Sequence, residues 1–185
     1  MSVGVYAPKF LSYSKASGLM RELIINGSRD PKVRDFALRL IAQVPEMFSL
    51  AEAEILHCFV RNSIRYTDDT YSEDVYQLAS LTLENGCGDC DDKVILLGSL
   101  ARSVGFPVRI CFVFMAPPGS AKGFNQESEF PTHVYLEMDM NKGQGQPRWV
   151  PAETVPAPRP DGAFGYLELG EAYPWGFVDK VQVDD

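Results

Sequence analysis

Cys87 and Cys90 stand in the run NGCGDCDDKVILLGSLARSVGFPVR, residues 85–109, directly ahead of an apolar helical pattern. Their spacing admits three chemistries. A dithiol redox pair has it, but that motif normally follows a strand in a βαβ unit, and the residues before this one read as helix and loop. Half a tetrahedral zinc site has it too. The remaining ligand candidates (His57, Cys58, Cys111 and His133) include no second close pair that would complete such a site. The third chemistry is a single nucleophile. A cysteine at a helix N-terminus lies among unpaired backbone N–H groups and at the positive end of the helix dipole, which favours its thiolate. Cys90 holds that place, whereas Cys87 falls in the Gly-flanked loop before it. Asp91 and Asp92 suit the first helical turn, and the Asp89/Asp91 spacing is too short to specify calcium. Their charge raises a thiol pKa against the dipole, so a modestly activated cysteine is expected.

A nucleophilic cysteine needs a base, and the chain has two histidines. His57 sits inside a helical stretch between Leu56 and Cys58, the place of a packed or part-exposed helix histidine. His133 opens the alternating run HVYLEMDM on its polar register, from which it can return to the Cys90 helix across an antiparallel sheet. A third group should fix the imidazole tautomer. Glu153, at the end of the strand-like run RWVPAETV, is placed to do so. Cys58 and Cys111 read as small buried hydrophobes, and Tyr135 and Trp149 as packing.

These residues need elements to carry them. Residues 1–17 alternate Ser, Gly, Pro and aromatics and read as an N-terminal arm, followed by a short apolar face from Gly18 to Ile25. The run SRDPKVRDFALRLIAQV predicts a helix capped by Asp30 with Pro31 at its first position. A second, SLAEAEILHCFVRNSIRY, has Ser49 and Glu52 in capping-box spacing. A further amphipathic segment runs through Val75, Leu78, Ala79 and Leu81. Val94, Leu97, Leu100, Ala101 and Val104 give the helix that starts near Cys90 and stops at Gly105 and Pro107. The period then changes: VRICFVFM (108–115), HVYLEMDM (133–140) and RWVPAETV predict strands, with a Gly/Pro-rich connection at 116–131. Helices first and strands later specify an α+β domain with an antiparallel sheet, core about 18–155, and a C-terminal tail at 156–185 that could wrap the domain or meet a partner.

GDCDDKVILLGSLARSVGFPVRI, HVYLEMD and RWVPAE together resemble the transglutaminase-like cysteine-enzyme superfamily. Its core has a Gly-x-Cys helix start, a helix ending in Gly-(Ile/Phe)-Pro-x-Arg, a His opening a strand and a Trp strand ending in an acid. The resemblance covers about residues 55–155 and implies a papain-like fold. It also implies a triad of Cys90, His133 and Glu153 and acyl transfer through a thioester without a cofactor. Hydrolysis of a protein or peptide substrate, at a peptide or isopeptide bond, is expected ahead of amine transfer, because water needs no second binding site. The family usually has Asp where this chain has Glu153; Asp139 and Asp161 are substitutes if Glu153 points away. The oxyanion would rest on the Cys90 amide, with Tyr76 or Gln77 as a second donor or as plain helix-surface residues. The Asp-to-Glu change also keeps open a catalytically inactive binding or structural module. Stand-alone domains of bacterial and bacteriophage proteins look similar, which would allow a virion setting.

A net charge of −8 without basic clusters argues against nucleic-acid partners. No eighteen consecutive apolar residues occur, and the first twenty lack a charged start followed by an apolar run, so no membrane partner is expected and the chain reads as soluble and cytoplasmic. Four cysteines are too few for a secreted disulfide framework, so reduced thiols are the expectation.

Overall fold

The computed structural model describes residues 4–8, 12–44, 49–69, 73–114, 131–158, 164–171 and 178–184. In chain order the elements are β1 (Gly4–Pro8), α1 (Tyr13–Arg29), α2 (Pro31–Ile41), α3 (Ser49–Ser63), β2 (Arg65–Tyr66), β3 (Glu73–Gln77), α4 (Ala79–Asn85), β4 (Cys87–Gly88) and α5 (Cys90–Ser103). The second half contributes β5 (Val108–Val113), β6 (His133–Asp139), β7 (Trp149–Ala152), β8 (Ala157–Pro158), β9 (Phe164–Gly165) and β10 (Val178–Gln182). This is the α+β arrangement that the change of period predicts.

The helix that carries Cys90 is the centre of the molecule. Every residue of α5 from Asp92 to Ala101 is buried, because α1, α2, α3, α4 and β6 all pack against it. A helix apolar on all sides belongs inside a core. Two close approaches bring α1 onto it. A Cβ on Gly98 would lie 3.0–3.2 Å from Ile24, and one on Gly27 would lie 2.3 Å from Ser99 Oγ.

The sheet has the order β10-β5-β6-β7 with antiparallel neighbours throughout. Ile110, Phe112, Val134, Leu136, Met138, Val150 and Ala152 join the helices in the main core. The other face carries Cys111, Val113 and Tyr135 as a second apolar cluster. Beside it Glu137 pairs with Arg109 and with Lys180 Nζ at 2.9 Å, and the Arg109 guanidinium lies 4.4 Å over the Trp149 ring. The polar register of β6 is therefore buried as well, which closes both faces of that strand.

Several local expectations are corrected. Gly4–Pro8 pairs with β3, and α1 starts at Tyr13, so most of the predicted arm is regular structure. The segment through Val75 splits into β3 and α4, with the helix starting only at Ala79. Pairing with β1 overrides a spacing that suits either period. Asp30 does cap α2, accepting from the Lys32 amide at 2.9 Å. The cap of α3 lies outside the described residues, but the partner of Glu52 does not. Glu52 is buried and meets Lys142 Nζ at 2.7 Å, tying α3 to the β6–β7 turn. The described end of the tail packs on the domain: β10 completes the sheet, and Arg21 donates to the Asp184 carbonyl. Asp161 and nearly all of the 116–131 connection lie outside the described residues. Among the described residues no helix is long and apolar enough to cross a membrane.

Candidate functional site

Cys90 is the first residue of α5, and the loop before it is fixed from three sides. Asp89 is the N-cap, accepting from the Asp91 amide at 3.0 Å and the Asp92 amide at 3.2 Å, and Asp92 returns a bond to the Asp89 amide as a capping box. The cap engages the amides of Asp91 and Asp92, not that of Cys90. Asp92 also accepts from the Gln77 backbone N–H at 2.7 Å and from Gln77 Nε2 at 2.6 Å. From the third side β2 pairs in parallel with β4, setting Tyr66 opposite Gly88. Gln77 is thus a strand residue committed to the cysteine loop, and Tyr76 is buried in the core, so the reading of the two as plain helix-surface residues is corrected.

Cys87 and Cys90 are both free thiols. Cys87 and Gly88 are in a strand and Asp89 is extended, which places the two Cα atoms roughly 10 Å apart along the chain. A disulfide closes only within about 7 Å, so the backbone disfavours a dithiol pair. Among the described residues no group of three or more His, Cys, Asp or Glu side chains is arranged to hold a metal ion.

His133 opens β6 opposite Val113, and its Nε2 lies 2.7 Å from Glu153 Oε2. Glu153 follows the last residue of β7 and is 2% exposed. Its other oxygen, Oε1, accepts from the amides of Thr154 at 2.9 Å and Val155 at 3.0 Å. The extra methylene relative to Asp is taken up by this fold back onto its own backbone. A carboxylate already accepting two N–H groups accepts from His133 as well, which puts the imidazole proton on Nε2. Asp139 is spent at the opposite end of β6, accepting from the amides of Asn141, Gly143 and Arg148. Against the desolvation of burial, those three donors hold it below the usual carboxylate range and close the turn that returns β7 alongside β6. It is no substitute for Glu153.

The β6–β7 ladder runs only from Leu136, so the Val134 amide lies beyond the end of β7, and its N–H favours the Cys90 thiolate. Val134 stands at the start of β6, one residue from His133. Burial, then the charges of Asp91, Asp89 and Glu153, push the Cys90 thiol well above its ordinary value; the Val134 donor opposes them without prevailing. The modest activation expected from the helix dipole is therefore not the resting state, which is a neutral thiol. Asp91 Oδ1 is 3.7 Å from the sulfur. Replacing Asp91 by Asn should lower the thiol pKa and speed alkylation of Cys90 by iodoacetamide several-fold at pH 7.5. Peptide mapping of the labelled protein reads this directly, and an unchanged or slower rate would refute the electrostatic account.

Two further buried groups meet the same constellation and have no sequence signature. Lys93, fully buried one turn into α5, donates to the Ile64 carbonyl at 2.9 Å and the Arg61 carbonyl at 3.5 Å, capping the end of α3. Burial pushes it down to about 8, with the Glu153 charge opposing. His57, also fully buried, has Nε2 at 2.6 Å from the Glu153 carbonyl oxygen. A carbonyl only accepts, so Nε2 carries the proton. Nδ1 then has no hydrogen-bond partner among the described residues, an arrangement that costs about 1–3 kcal/mol. The sequence reading of His57 as packed is right about burial and silent about its partner.

No curated protein matches the chain in sequence. Among solved structures, a protease candidate from Parabacteroides distasonis is 11% identical with a TM-score of 0.49, the match covering 76% of this chain and 32% of that one. A cysteine protease candidate from Cytophaga hutchinsonii is 16% identical with a TM-score of 0.48, covering 88% of this chain and 56% of that one. The chain thus spans about a third and about half of those two proteins. The family model described as the transglutaminase-like superfamily matches residues 34–154, from α2 through β7 to the residue after Glu153. Because that match takes in well over half of the sequence and all three positions that the resemblance picked out, the chain belongs to the transglutaminase-like superfamily.

Proposed function

We propose that the protein is a cysteine-dependent acyl-transfer enzyme in which Cys90 is the nucleophile, His133 the base and Glu153 the acid that orients it. The observation that carries this reading is the His133–Glu153 bond at 2.7 Å. Family membership supports cysteine-dependent catalysis in general.

Because the resting sulfur is a thiol, the base must act during attack. As the sulfur bonds to the substrate carbonyl carbon, Nδ1 of His133 takes its proton and the carbonyl π pair moves onto oxygen. The Cys90 amide, left outside the N-cap, is the donor for that oxyanion. Glu153 stabilises the imidazolium, which then gives its proton to the departing amine as the C–N bond breaks and a thioester forms. Water, deprotonated by His133, resolves the thioester and the sulfur leaves. Peptide or isopeptide hydrolysis is the first expectation and transfer to an amine the second.

The test is intact-mass analysis after exposure to p-nitrophenyl acetate and to peptide thioesters, with and without a primary amine. An acyl adduct confined to Cys90 and lost in His133→Ala supports the reading, and the balance of hydrolysed and amine-linked product separates its two outcomes. No adduct on Cys90 under any condition would favour a fold kept for binding, a reading that the high thiol pKa also suits.

A further inference from the structure

We infer that His57 is a positioning residue: its Nε2–H holds the Glu153 carbonyl and so sets where the Glu153 carboxylate meets His133. This rests on the proposed Cys–His–Glu reading and adds a fourth, non-contacting member to it.

The need for such a residue follows from the chain path. Glu153 lies past the end of β7, so no ladder bond fixes its backbone. The bonds from Thr154 and Val155 tie the carboxylate only to its own turn. His57, reaching from α3, anchors that turn to the helical layer at 2.6 Å. Lys93 in turn ties the end of α3 to α5, three residues after Cys90. Nucleophile, base and acid are thereby referred to one frame: Cys90 on α5, α5 to α3 through Lys93, α3 to Glu153 through His57, and Glu153 to His133. A buried Nδ1 without a partner is the mark of a side chain kept for its other nitrogen.

The charged groups acting on His57 are Arg61 on α3, Glu153 after β7, and Glu168 in the segment after β9. Burial, with Arg61, holds the ring in its neutral form, while the Glu153 carbonyl and the two carboxylates oppose this. A neutral imidazole with a fixed Nε2–H keeps one geometry while His133 cycles its proton.

The experiment compares the pH profile of Cys90 alkylation in the wild type, His133→Ala, His57→Leu and His57→Gln, alongside thermal unfolding. His57→Leu fills the space without a donor and should slow alkylation at pH 7 by about 10- to 100-fold, the scale of a small misplacement of reacting groups. His57→Gln restores a donor and should recover most of the rate. A stable His57→Leu protein with the wild-type profile overturns the positioning role while leaving the Cys–His reading intact. Coincident wild-type and His133→Ala profiles overturn that reading itself, and this proposal with it. Should the His57 variants fail to fold, long-range ¹H–¹⁵N spectra of the wild-type protein decide. With two histidines in the chain, His133→Ala assigns the ring signals. A His57 ring that stays in the Nε2–H tautomer from pH 5 to 8 supports the inference; an Nδ1–H tautomer or an ordinary titration overturns it.

Discussion

Replacing His133 by Ala should lower the rate at which Cys90 is acylated at neutral pH by about 10²- to 10⁴-fold, the usual contribution of a positioned general base. The loss is at the large end here because burial and the charges of Asp91, Asp89 and Glu153 raise the Cys90 thiol pKa. Glu153→Gln should come close to the same loss without removing the base. The Gln oxygen would stay on the Thr154 and Val155 amides, turning its NH₂ towards His133 Nε2. Two donors would then face each other, and the imidazole would shift its proton to Nδ1, the nitrogen that the reaction needs bare. Glu153→Asp keeps the charge but is one methylene short of holding both the two amides and His133, so it should fall between the wild type and Glu153→Gln. Rates of adduct formation by mass spectrometry, at matched stability, check the series. Wild-type rates in both His133→Ala and Glu153→Gln would remove these residues from the chemistry.

Gly88→Ala should be the most damaging small substitution near the site, costing about 2–4 kcal/mol through overpacking and loss of the helix cap. A Cβ there would lie 2.5 Å from Asp92 Cβ and 2.7 Å from Asp92 Oδ2. Rotation of Asp92 cannot relieve the first contact, because Cβ is fixed to the helix backbone. Relief by backbone movement would break the Gln77–Asp92 bonds and shift the start of α5, taking Cys90 with it. Urea unfolding should show the stability loss, and Cys90 acylation should fall further than the unfolded fraction explains. A variant as stable and as reactive as the wild type would mean that the loop is far more compliant than these contacts allow.

The parts legible from sequence share a property: their partners are near in the chain or belong to a strong period. The start of α5 could be read because the acidic residues after Cys90 suit a helix N-terminus and the apolar pattern runs unbroken to Ala101. His133 and Glu153 could be placed because β6 alternates and the Trp149 strand follows it at hairpin distance. β3 could not be read, since Val75, Leu78 and Leu81 suit a helix as well as a strand and the deciding partner, β1, is some seventy residues away. His57 was read as an ordinary packed histidine because its partner is a backbone carbonyl, which every residue has. Lys93 carries no signal of its role in the sequence; only the end of α3, brought back by the fold, gives its ammonium carbonyls to bond.

The placement of β10 bears on how the chain must be assembled in a cell. Residues 178–182 occupy the sheet edge beside β5, about seventy residues upstream, so closing that loop carries one of the larger entropic costs in the fold. Until it closes, β5 offers an unpaired edge with the sequence VRICFV, a β-branched and aromatic run suited to pairing with a neighbouring chain. The C-terminal strand therefore doubles as a guard against aggregation. Loss of residues 178–184 would first be felt as poor yield of soluble protein, before any effect on Cys90 could be measured.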